Sequence, residues 1–253
     1  MVQRYFFELA YDGTKFFGWQ IQPREISVQQ TIEEALTKLN SNREVKVVGC
    51  GRTDTGVHAS NFYLHVDFPE IKQQEKFLFK LNRMLPDAIA VAKIIKVKSD
   101  AHARFDALER TYQYFISTQK KPFNSAYTYL VSSKLNIDAM NKACAYLIGE
   151  KDFTSLAKMH TDVKTNICNV RFAQWKKTNE DTLMFEIKAN RFLRNMVRAT
   201  VGTLLEVGLQ KIKPEEVKEI LDAKSRSRAK ASAPGHALFL SKVEYNWKNI
   251  QQD

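Results

Sequence analysis

The chain has 253 residues, 44% of them apolar, and carries 39 Lys and Arg against 28 Asp and Glu, a formal net charge of +11. This length and apolar content suit one large domain or two small ones with a full core, so the chain should fold alone. The charge favours a polyanionic partner, nucleic acid or an acidic membrane, over mere solubility.

Three cysteines, Cys50, Cys144 and Cys168, lie far apart, without a C-x-x-C pair or a His-x-x-His partner to complete a zinc site. Buried thiols are therefore expected. The first 13 residues lack the apolar region and cleavage site of a signal peptide, and the sequence has no apolar run near the roughly 18 residues of a membrane span. These features predict a cytoplasmic protein.

The first half begins with a strand followed by a helix. "RYFFELAYDG" (4–13) alternates apolar residues and turns at Asp12-Gly13, which predicts a strand. Ser27 and Gln30 then form a capping-box pattern. The apolar residues that follow share one helical face and are Val28, Ile32, Leu36 and Leu39.

Two further strands, a helix and a last strand complete the first half. The strands are "EVKVVGC" (44–50) and "NFYLHVDF" (61–68), in which Phe62, Leu64, Val66 and Phe68 alternate with more polar residues. "EKFLFKLNRML" (75–85) predicts a helix that ends before Pro86, and "AIAVAKIIKVK" (88–98) predicts a strand. This β-α-β-β-α-β order is typical of ferredoxin-like folds.

The second half shows a similar order of elements. A strand at 111–118, a helix at 137–149 and strands at 169–177 and 182–189 precede a long helix at 191–208. A further helix after Pro214 and a strand at 237–245 follow. We predict an α+β protein with two halves, 1–104 and 105–253, on element order alone, since no sequence repeat is visible.

The stretch "VVGCGRTDTGVHAS" (47–60) places Asp54 on a glycine-rich turn between two predicted strands. Such a carboxylate can be a nucleophile, a general base or a cap, and the simplest alternative is an Asx-turn in a hairpin. "DTG" is also the core of aspartic protease sites, where two carboxylates share a proton. The chain has one copy, so a hydrolase would need a homodimer, and Arg52 stands close to the carboxylate.

"GRTDTGVHA" (51–59) resembles the catalytic motif of the tRNA pseudouridine synthase A family. The resemblance extends along the chain through "YDGTKFFGWQIQP", "SVQQTIEEAL", "LNRMLPDAIAV", "AHARFDALERTYQY", "GEKDFTSL" and "RFLRNMVRATVGTLLEVG". It departs from the family pattern at Thr55, Lys151, Asn166 and "APGHALFL". These departures affect fine substrate contacts more than the reaction.

The resemblance implies the pseudouridine synthase fold, in which two ferredoxin-like halves share a mixed, mainly antiparallel sheet flanked by helices. It implies an isomerase of uridine at positions 38, 39 and 40 in the tRNA anticodon stem-loop. The N1–C1′ bond is cut, the bound uracil turns, and C5 is joined to C1′. Nothing is oxidised and no group enters or leaves, so the family needs no metal, nucleotide or redox cofactor. The sequence has no P-loop and no G-x-G-x-x-G.

The resemblance also assigns the site residues. Asp54 is the nucleophile, Arg198 its cationic partner, and Tyr112 the tyrosine that stacks on the target uracil and is a candidate for removing the C5 proton. Arg52 fills the gap or holds the RNA when the base is flipped out. His58 is expected to be structural.

Positive charge is concentrated towards the end of the chain. Residues 188–230 contain 11 Lys and Arg against 5 Asp and Glu, and "AKSRSRAKASAPG" (223–235) predicts a mobile basic loop. Arg191, Arg194 and Arg198 are spaced to share a helical face next to the apolar stripe of the long helix. Arg191 and Arg194 could bind phosphates, which fits an RNA substrate recognised largely by shape.

The expected partners are tRNA and a second copy of the chain, with active clefts near the interface of a homodimer. A membrane is not expected. Two alternatives remain: a catalytically silent RNA-binding module of the same fold, and a dimeric aspartic hydrolase. An assay of uridine isomerisation separates the first from the enzyme, and pepstatin sensitivity identifies the second.

Overall fold

The structure is a computed structural model that describes residues 2–159 and 164–252. Its strands are β1 (Val2–Tyr11), β2 (Val47–Gly49), β3 (His58–Pro69), β4 (Ile89–Lys96), β5 (Ala107–Ser117), β6 (Tyr129–Leu130), β7 (Gly149–Asp152), β8 (Ile167–Asn179), β9 (Thr182–Ala189) and β10 (Leu238–Tyr245). Its helices are α1 (Val28–Leu39), α2 (Gln74–Met84), α3 (Ile137–Ala145), α4 (Met196–Gly208), α5 (Glu216–Asp222) and α6 (Trp247–Ile250). The α+β class predicted from the periodicity is confirmed. The short elements β6, β7 and α6 were not predicted.

The chain divides into two compact units, Met1–Leu108 with Leu240–Asp253, and Glu109–Phe239. The last residues of the chain therefore group with the first unit. The division into functional halves at residues 1–104 and 105–253 stays a prediction.

The first unit contains a sheet in the order β4-β1-β3, and β2 and β10 both pair with β3. β1 runs antiparallel to β3 and β4, and β2 runs antiparallel to β3. The strand order 4-1-3-2 is the one that the β-α-β-β-α-β sequence of elements predicts. α1 begins as predicted, since the Ser27 Oγ accepts the Gln30 N–H at 3.2 Å.

Both faces of this sheet are buried, although the alternation in β3 suggests one apolar face. Phe62 and Leu64 are buried on one face, and Tyr63 and His65 are buried on the other. The second face is covered by aromatic side chains from the end of the chain, with the Tyr245 ring 5.2 Å from that of Tyr63. The His65 Nδ1 accepts the Ala103 N–H at 3.0 Å, and burial is the main cause that lowers the pKa of His65 to about 4.

The second unit contains strands in the order β5-β9-β8-β7, all antiparallel to their neighbours. β6 pairs with β5 in parallel. α3 packs against α4 and β8. Among the helices of the described residues, none combines the length and the apolar character that crossing a membrane requires.

Candidate active site

The loop that carries Asp54 connects β2 to β3 in the first unit. Its turn is closed by the Val57 N–H, which donates to the main-chain oxygen of Asp54 at 3.1 Å, and Gly56 adopts a φ of +73° in that turn. An Asx-turn would use the Gly56 N–H, but that group donates to the Phe16 carbonyl at 3.2 Å. The main chain therefore closes the turn, and the Asp54 side chain is half-buried beside exposed Arg52 and Thr55.

The segment between β1 and α1 forms the support of this loop. The Tyr11 and Thr53 hydroxyls are 2.9 Å apart and share a hydrogen bond, and the Trp19 N–H donates to the Thr53 carbonyl at 3.3 Å. The Gly56 N–H also donates to the Phe16 carbonyl. Residues of the segment "YDGTKFFGW" therefore bind residues on both sides of Asp54. Local fixation of this kind pre-organises a side chain for chemistry.

Two glycines permit this close approach. Gly18 has a φ of +86°, and a Cβ added to it would lie 2.4 Å from the Thr53 oxygen and 3.1 Å from the Asp54 carbonyl carbon. A Cβ on Gly13 would lie 2.0 Å from the Val57 oxygen. These supporting residues were not predicted from the sequence, although the glycine spacing within "YDGTKFFG" was a usable signal.

His58 lies beneath the loop, almost completely buried. Its Nδ1 accepts the Gly13 N–H at 3.0 Å and also lies 3.0 Å from the Asp12 Oδ1. Asp12 in turn accepts the Thr14 N–H at 2.9 Å. These contacts fit the structural role expected for His58.

Tyr112 and Arg198 lie in the second unit. Tyr112 is buried on β5, and its ring contacts the Phe192 ring edge-on, with centroids 5.1 Å apart. Tyr114 follows two residues later on the same strand, and its hydroxyl donates to the Pro234 oxygen at 3.0 Å. Burial is the main cause that raises the pKa of Tyr114 above its usual range, whereas the charge of Arg198 lowers it. The charge of Arg198 therefore acts on Tyr114, which lies on the same strand as Tyr112.

Arg198 lies in the first turn of α4, half-buried. Its Nε–H donates to the Ala233 oxygen at 2.8 Å, and its own main-chain oxygen accepts the Ala233 N–H at 2.9 Å. The two residues are therefore held together through both a side chain and the main chain.

The predicted face of three arginines is wrong. α4 begins at Met196 rather than Arg191, because Asn195 adopts a left-handed conformation with a φ of +66°, which a right-handed helix does not accommodate. Arg191 and Arg194 precede the helix and so do not share a helical face with Arg198. Arg191 is half-buried, and Arg194 is exposed, with its main-chain oxygen accepting the Lys158 N–H at 2.9 Å.

The basic segment 223–235, predicted to be a mobile loop, is packed over its middle part. Ala229 and Ala233 are buried, and the Arg226 guanidinium donates to the Ala229 oxygen at 3.3 Å and to the Ser232 Oγ at 3.1 Å. Arg226 therefore binds other residues of the segment, whereas Arg228 is exposed. The charges predicted the basic character but gave no sign of this packing.

The candidate residues thus fall into two groups. Arg52 and Asp54 lie in the first unit, and Tyr112, Arg191, Arg194 and Arg198 lie in the second. Within the part of the chain that the structure describes, no group of three or more His, Cys, Asp and Glu side chains is arranged to hold a metal ion.

Comparisons with known proteins identify the family. A family model described as "tRNA pseudouridine synthase" matches residues 9–106 and 143–246, which include Asp54 and Arg198, whereas Tyr112 lies between the two matched segments. The chain belongs to the tRNA pseudouridine synthase family. It is 51% identical over 245 residues to tRNA pseudouridine synthase A of Bacteroides fragilis, covering 96% of this chain and 97% of the relative.

Two further synthases show how far the similarity extends. tRNA pseudouridine synthase A of Bacteroides thetaiotaomicron is 51% identical over 246 residues, covering 96% of this chain and 91% of the relative. The protein of the same name from Bacillus subtilis is 41% identical over 241 residues, covering 94% and 97%. The family match favours a synthase over the dimeric aspartic hydrolase that "DTG" alone would permit.

The departures from the synthase pattern have local structural roles or are exposed. Lys151 donates its Nζ–H to the Tyr146 oxygen at 2.6 Å, and Asn166 donates its side-chain amide to the Thr154 hydroxyl at 2.8 Å. Thr55 is exposed in the turn after Asp54. His236 of "APGHALFL" lies with its Nε2 3.2 Å from the Thr128 oxygen.

The synthase site yields a first prediction, that Gly18→Ala lowers turnover by about 100-fold. The added Cβ meets main-chain atoms next to Asp54 and forces the loop to shift, and the φ of +86° adds strain. Gly51→Ala is the matched control, since nothing lies within 4 Å of its added Cβ. Single-turnover pseudouridine formation by the two folded variants tests this, and equal rates would show that the loop position is unimportant.

Proposed function

We propose that this chain is a tRNA pseudouridine synthase that converts uridine to pseudouridine at positions 38, 39 and 40 of the anticodon stem-loop. One observation carries the proposal: a chain 51% identical to synthases over nearly its whole length holds Asp54 on a turn closed by the main chain. In this proposal the main-chain bond closes the turn, and the Asp54 carboxylate serves as the nucleophile.

In the proposed reaction the N1–C1′ bond breaks, the uracil turns, and a C5–C1′ bond forms. C5 loses its proton and N1 gains one, so the reaction is balanced without any co-reactant. Asp54 acts as the nucleophile or stabilises the developing positive charge at the sugar, and Arg198 is its cationic partner, since a guanidinium is well suited to binding a carboxylate. Tyr112 stacks on the uracil and is the candidate for accepting the C5 proton, with its ring fixed by Phe192.

The remaining arginines bind RNA in this proposal. Chemistry on a stacked nucleotide requires the base to leave the stack, and exposed Arg52, two residues from Asp54, supports the flipped conformation. Arg191 and Arg194 contact phosphates from the segment before α4. Both roles depend on side chains that bear permanent positive charge.

The experiment that tests the function is pseudouridine mapping of unmodified tRNA after incubation with the purified chain. New pseudouridine at positions 38–40 supports the proposal. Pseudouridine only elsewhere in the tRNA refutes the assigned positions, and binding of tRNA without any pseudouridine identifies a silent RNA-binding module. Mapping of tRNA from a strain that lacks the gene, with and without complementation, extends the test to the cell.

We propose the cytoplasm as the setting of the reaction. The three cysteines are buried, and burial raises the pKa of Cys144 to about 12 and that of Cys168 to about 11. Both thiols therefore stay protonated and unreactive near neutral pH.

We also propose that the synthase is a homodimer, with active clefts near the subunit interface. One chain has a mass of 29.2 kDa, and light scattering of the purified chain at micromolar concentration should give twice that mass. A monomer with full activity would contradict this assembly.

Binding of tRNA should weaken steeply with salt, because Lys and Arg side chains displace condensed counterions. The log–log slope is expected to be about −0.7 to −0.9 per phosphate neutralised. Arg228→Glu should flatten the slope by about one phosphate, since Arg228 is exposed. Filter binding at several salt concentrations measures this, with Arg83→Glu on α2 as a control of equal net charge. An affinity that hardly changes up to physiological salt would contradict a basic binding surface.

A further inference from the structure

Residues 230–234, which we call the clamp segment, lie against α4 beside Arg198. Ala233 binds Arg198 twice, donating its N–H to the Arg198 oxygen at 2.9 Å and accepting the Nε–H at 2.8 Å. The guanidinium group is planar, so a hydrogen bond from Nε fixes the plane of the group and the direction of its Nη edge. The position of the Ala233 oxygen therefore sets the position of the Arg198 charge.

Side chains from β5, from α4 and from Asn195 just before α4 hold the clamp segment along its length. The Tyr114 hydroxyl donates to the Pro234 oxygen at 3.0 Å, and the Asn195 amide donates to the Ser232 Oγ at 2.8 Å. The Lys230 N–H donates to the Thr203 Oγ1 at 3.4 Å. Hydrogen bonds at Lys230, Ser232 and Pro234, two of them to main-chain atoms, leave the segment little freedom to shift along the helix.

Gly202 sets how closely the clamp segment approaches α4. A Cβ added to Gly202 would lie 1.8 Å from the Ala231 oxygen and 3.3 Å from the Ala233 nitrogen. Both are main-chain atoms, so the whole segment would have to move away. Gly202 lies one helical turn after Arg198, and a displacement there moves the oxygen that binds the Arg198 Nε.

We propose that the clamp segment positions the Arg198 guanidinium for the synthase reaction, and that Gly202 and Tyr114 are positioning residues acting through Arg198. The inference rests on the proposed function, because it requires Arg198 to act on the reacting carboxylate. Neither residue is assigned contact with the RNA. Their effect is on where the charge of Arg198 lies, and an error of about 1 Å in such a position costs about 100-fold in rate.

The first test compares two alanine variants of the same helix. Gly202→Ala should lower kcat by about 100-fold with KM changed less than about threefold, because the charge is displaced while phosphate contacts remain. Gly208→Ala is the matched control, since its added Cβ meets the flexible Met140 side chain, at 2.5 Å from Sδ, rather than main chain. Equal kcat values for the two folded variants would overturn the role of Gly202.

The second test applies even if Gly202→Ala fails to fold. Tyr114→Phe removes only the hydroxyl that binds the Pro234 oxygen, and it should lower kcat by about tenfold with little change in KM. In an Arg198→Lys background, which lacks the Nε–H, the same change should lower kcat less than about twofold. A purely structural hydroxyl would cause the same loss in both backgrounds.

The outcomes separate this inference from the proposed function. Absence of pseudouridine formation by the wild-type chain refutes the function itself. If the wild type is active, any of three results overturns the clamp inference alone. Tyr114→Phe has the kcat of wild type, Arg198→Lys is as active as wild type, or Tyr114→Phe still lowers kcat tenfold in the Arg198→Lys background. Reduced kcat that disappears in the Arg198→Lys background supports it.

Discussion

Asp54→Asn is expected to lower pseudouridine formation at least about a thousandfold while leaving the fold and most tRNA affinity in place, a loss of about 4 kcal/mol of transition-state stabilisation. The amide has nearly the shape of the carboxylate but lacks an anionic oxygen that can attack or stabilise positive charge. The turn should survive, because the Asp54 main-chain oxygen accepts the Val57 N–H and the Thr53 contacts involve neither side-chain oxygen of Asp54. Removal of one negative charge does not weaken binding to a polyanion.

The measurement is tritium release from C5-labelled uridine in tRNA, with filter binding and thermal unfolding of the same variant. Asp67→Asn is a matched control, since it makes the same chemical change in the same unit at a carboxylate that pairs with Arg4 at 2.7 Å. It should keep turnover within about threefold of wild type. Turnover by Asp54→Asn within about tenfold of wild type would show that the nucleophile assignment is wrong.

The elements that the sequence predicts well are those specified by neighbouring residues. Ser27 and Gln30 mark the start of α1 because the capping contact spans only three residues. Alternation of apolar residues likewise identifies β1 and β3, since successive side chains of a strand point to opposite faces. β6 and β7, with two and four residues, are too short for a period to be visible.

The predictions are wrong where a distant residue or the conformation of a single residue determines where an element begins or which side chains are buried. Arg191 and Arg194 fit a helical spacing, but the left-handed Asn195 starts the helix later. Asparagine adopts this conformation more often than most residues, but the spacing of the arginines does not show that it does so here. Tyr63 is buried because Tyr245, about 180 positions later in the chain, covers it, and His65 packs against the His102 ring. Periodicity within β3 carries no information about that contact.

The candidate site also contains features that neighbouring residues specify and features that distant residues specify. The motif around Asp54 identifies the carboxylate from the sequence, since its residues are contiguous. Its support by Gly18 and the clamp on Arg198 join segments 35 residues apart in each case. Such contacts depend on close approach of two main-chain segments. A glycine in the sequence indicates that such an approach is possible, but it does not show which other segment approaches it.

Arg198→Ala is expected to lower turnover about a thousandfold, close to the effect of Asp54→Asn. Without the guanidinium the Asp54 carboxylate loses the cationic partner that the proposed reaction gives it, and a charged group taken out of water is costly to leave without one. The substitution also leaves the Ala233 oxygen without the Nε–H that it accepts, so some loss of stability is expected. Turnover and stability therefore have to be separated.

Arg226→Ala provides that separation, because Arg226 holds the same segment through the Ala229 oxygen and the Ser232 Oγ. We expect it to lower the free energy of unfolding by a similar amount, on the order of 1–2 kcal/mol, but turnover by at most about tenfold. Added guanidinium ion should partly restore turnover to Arg198→Ala and not to Arg226→Ala, since only the first lacks the cation that the proposed reaction assigns to the carboxylate. Single-turnover tritium release with denaturant unfolding of both variants measures these effects. Equal loss of turnover in the two variants, without rescue, would assign Arg198 to the stability of the segment and remove it from the reaction.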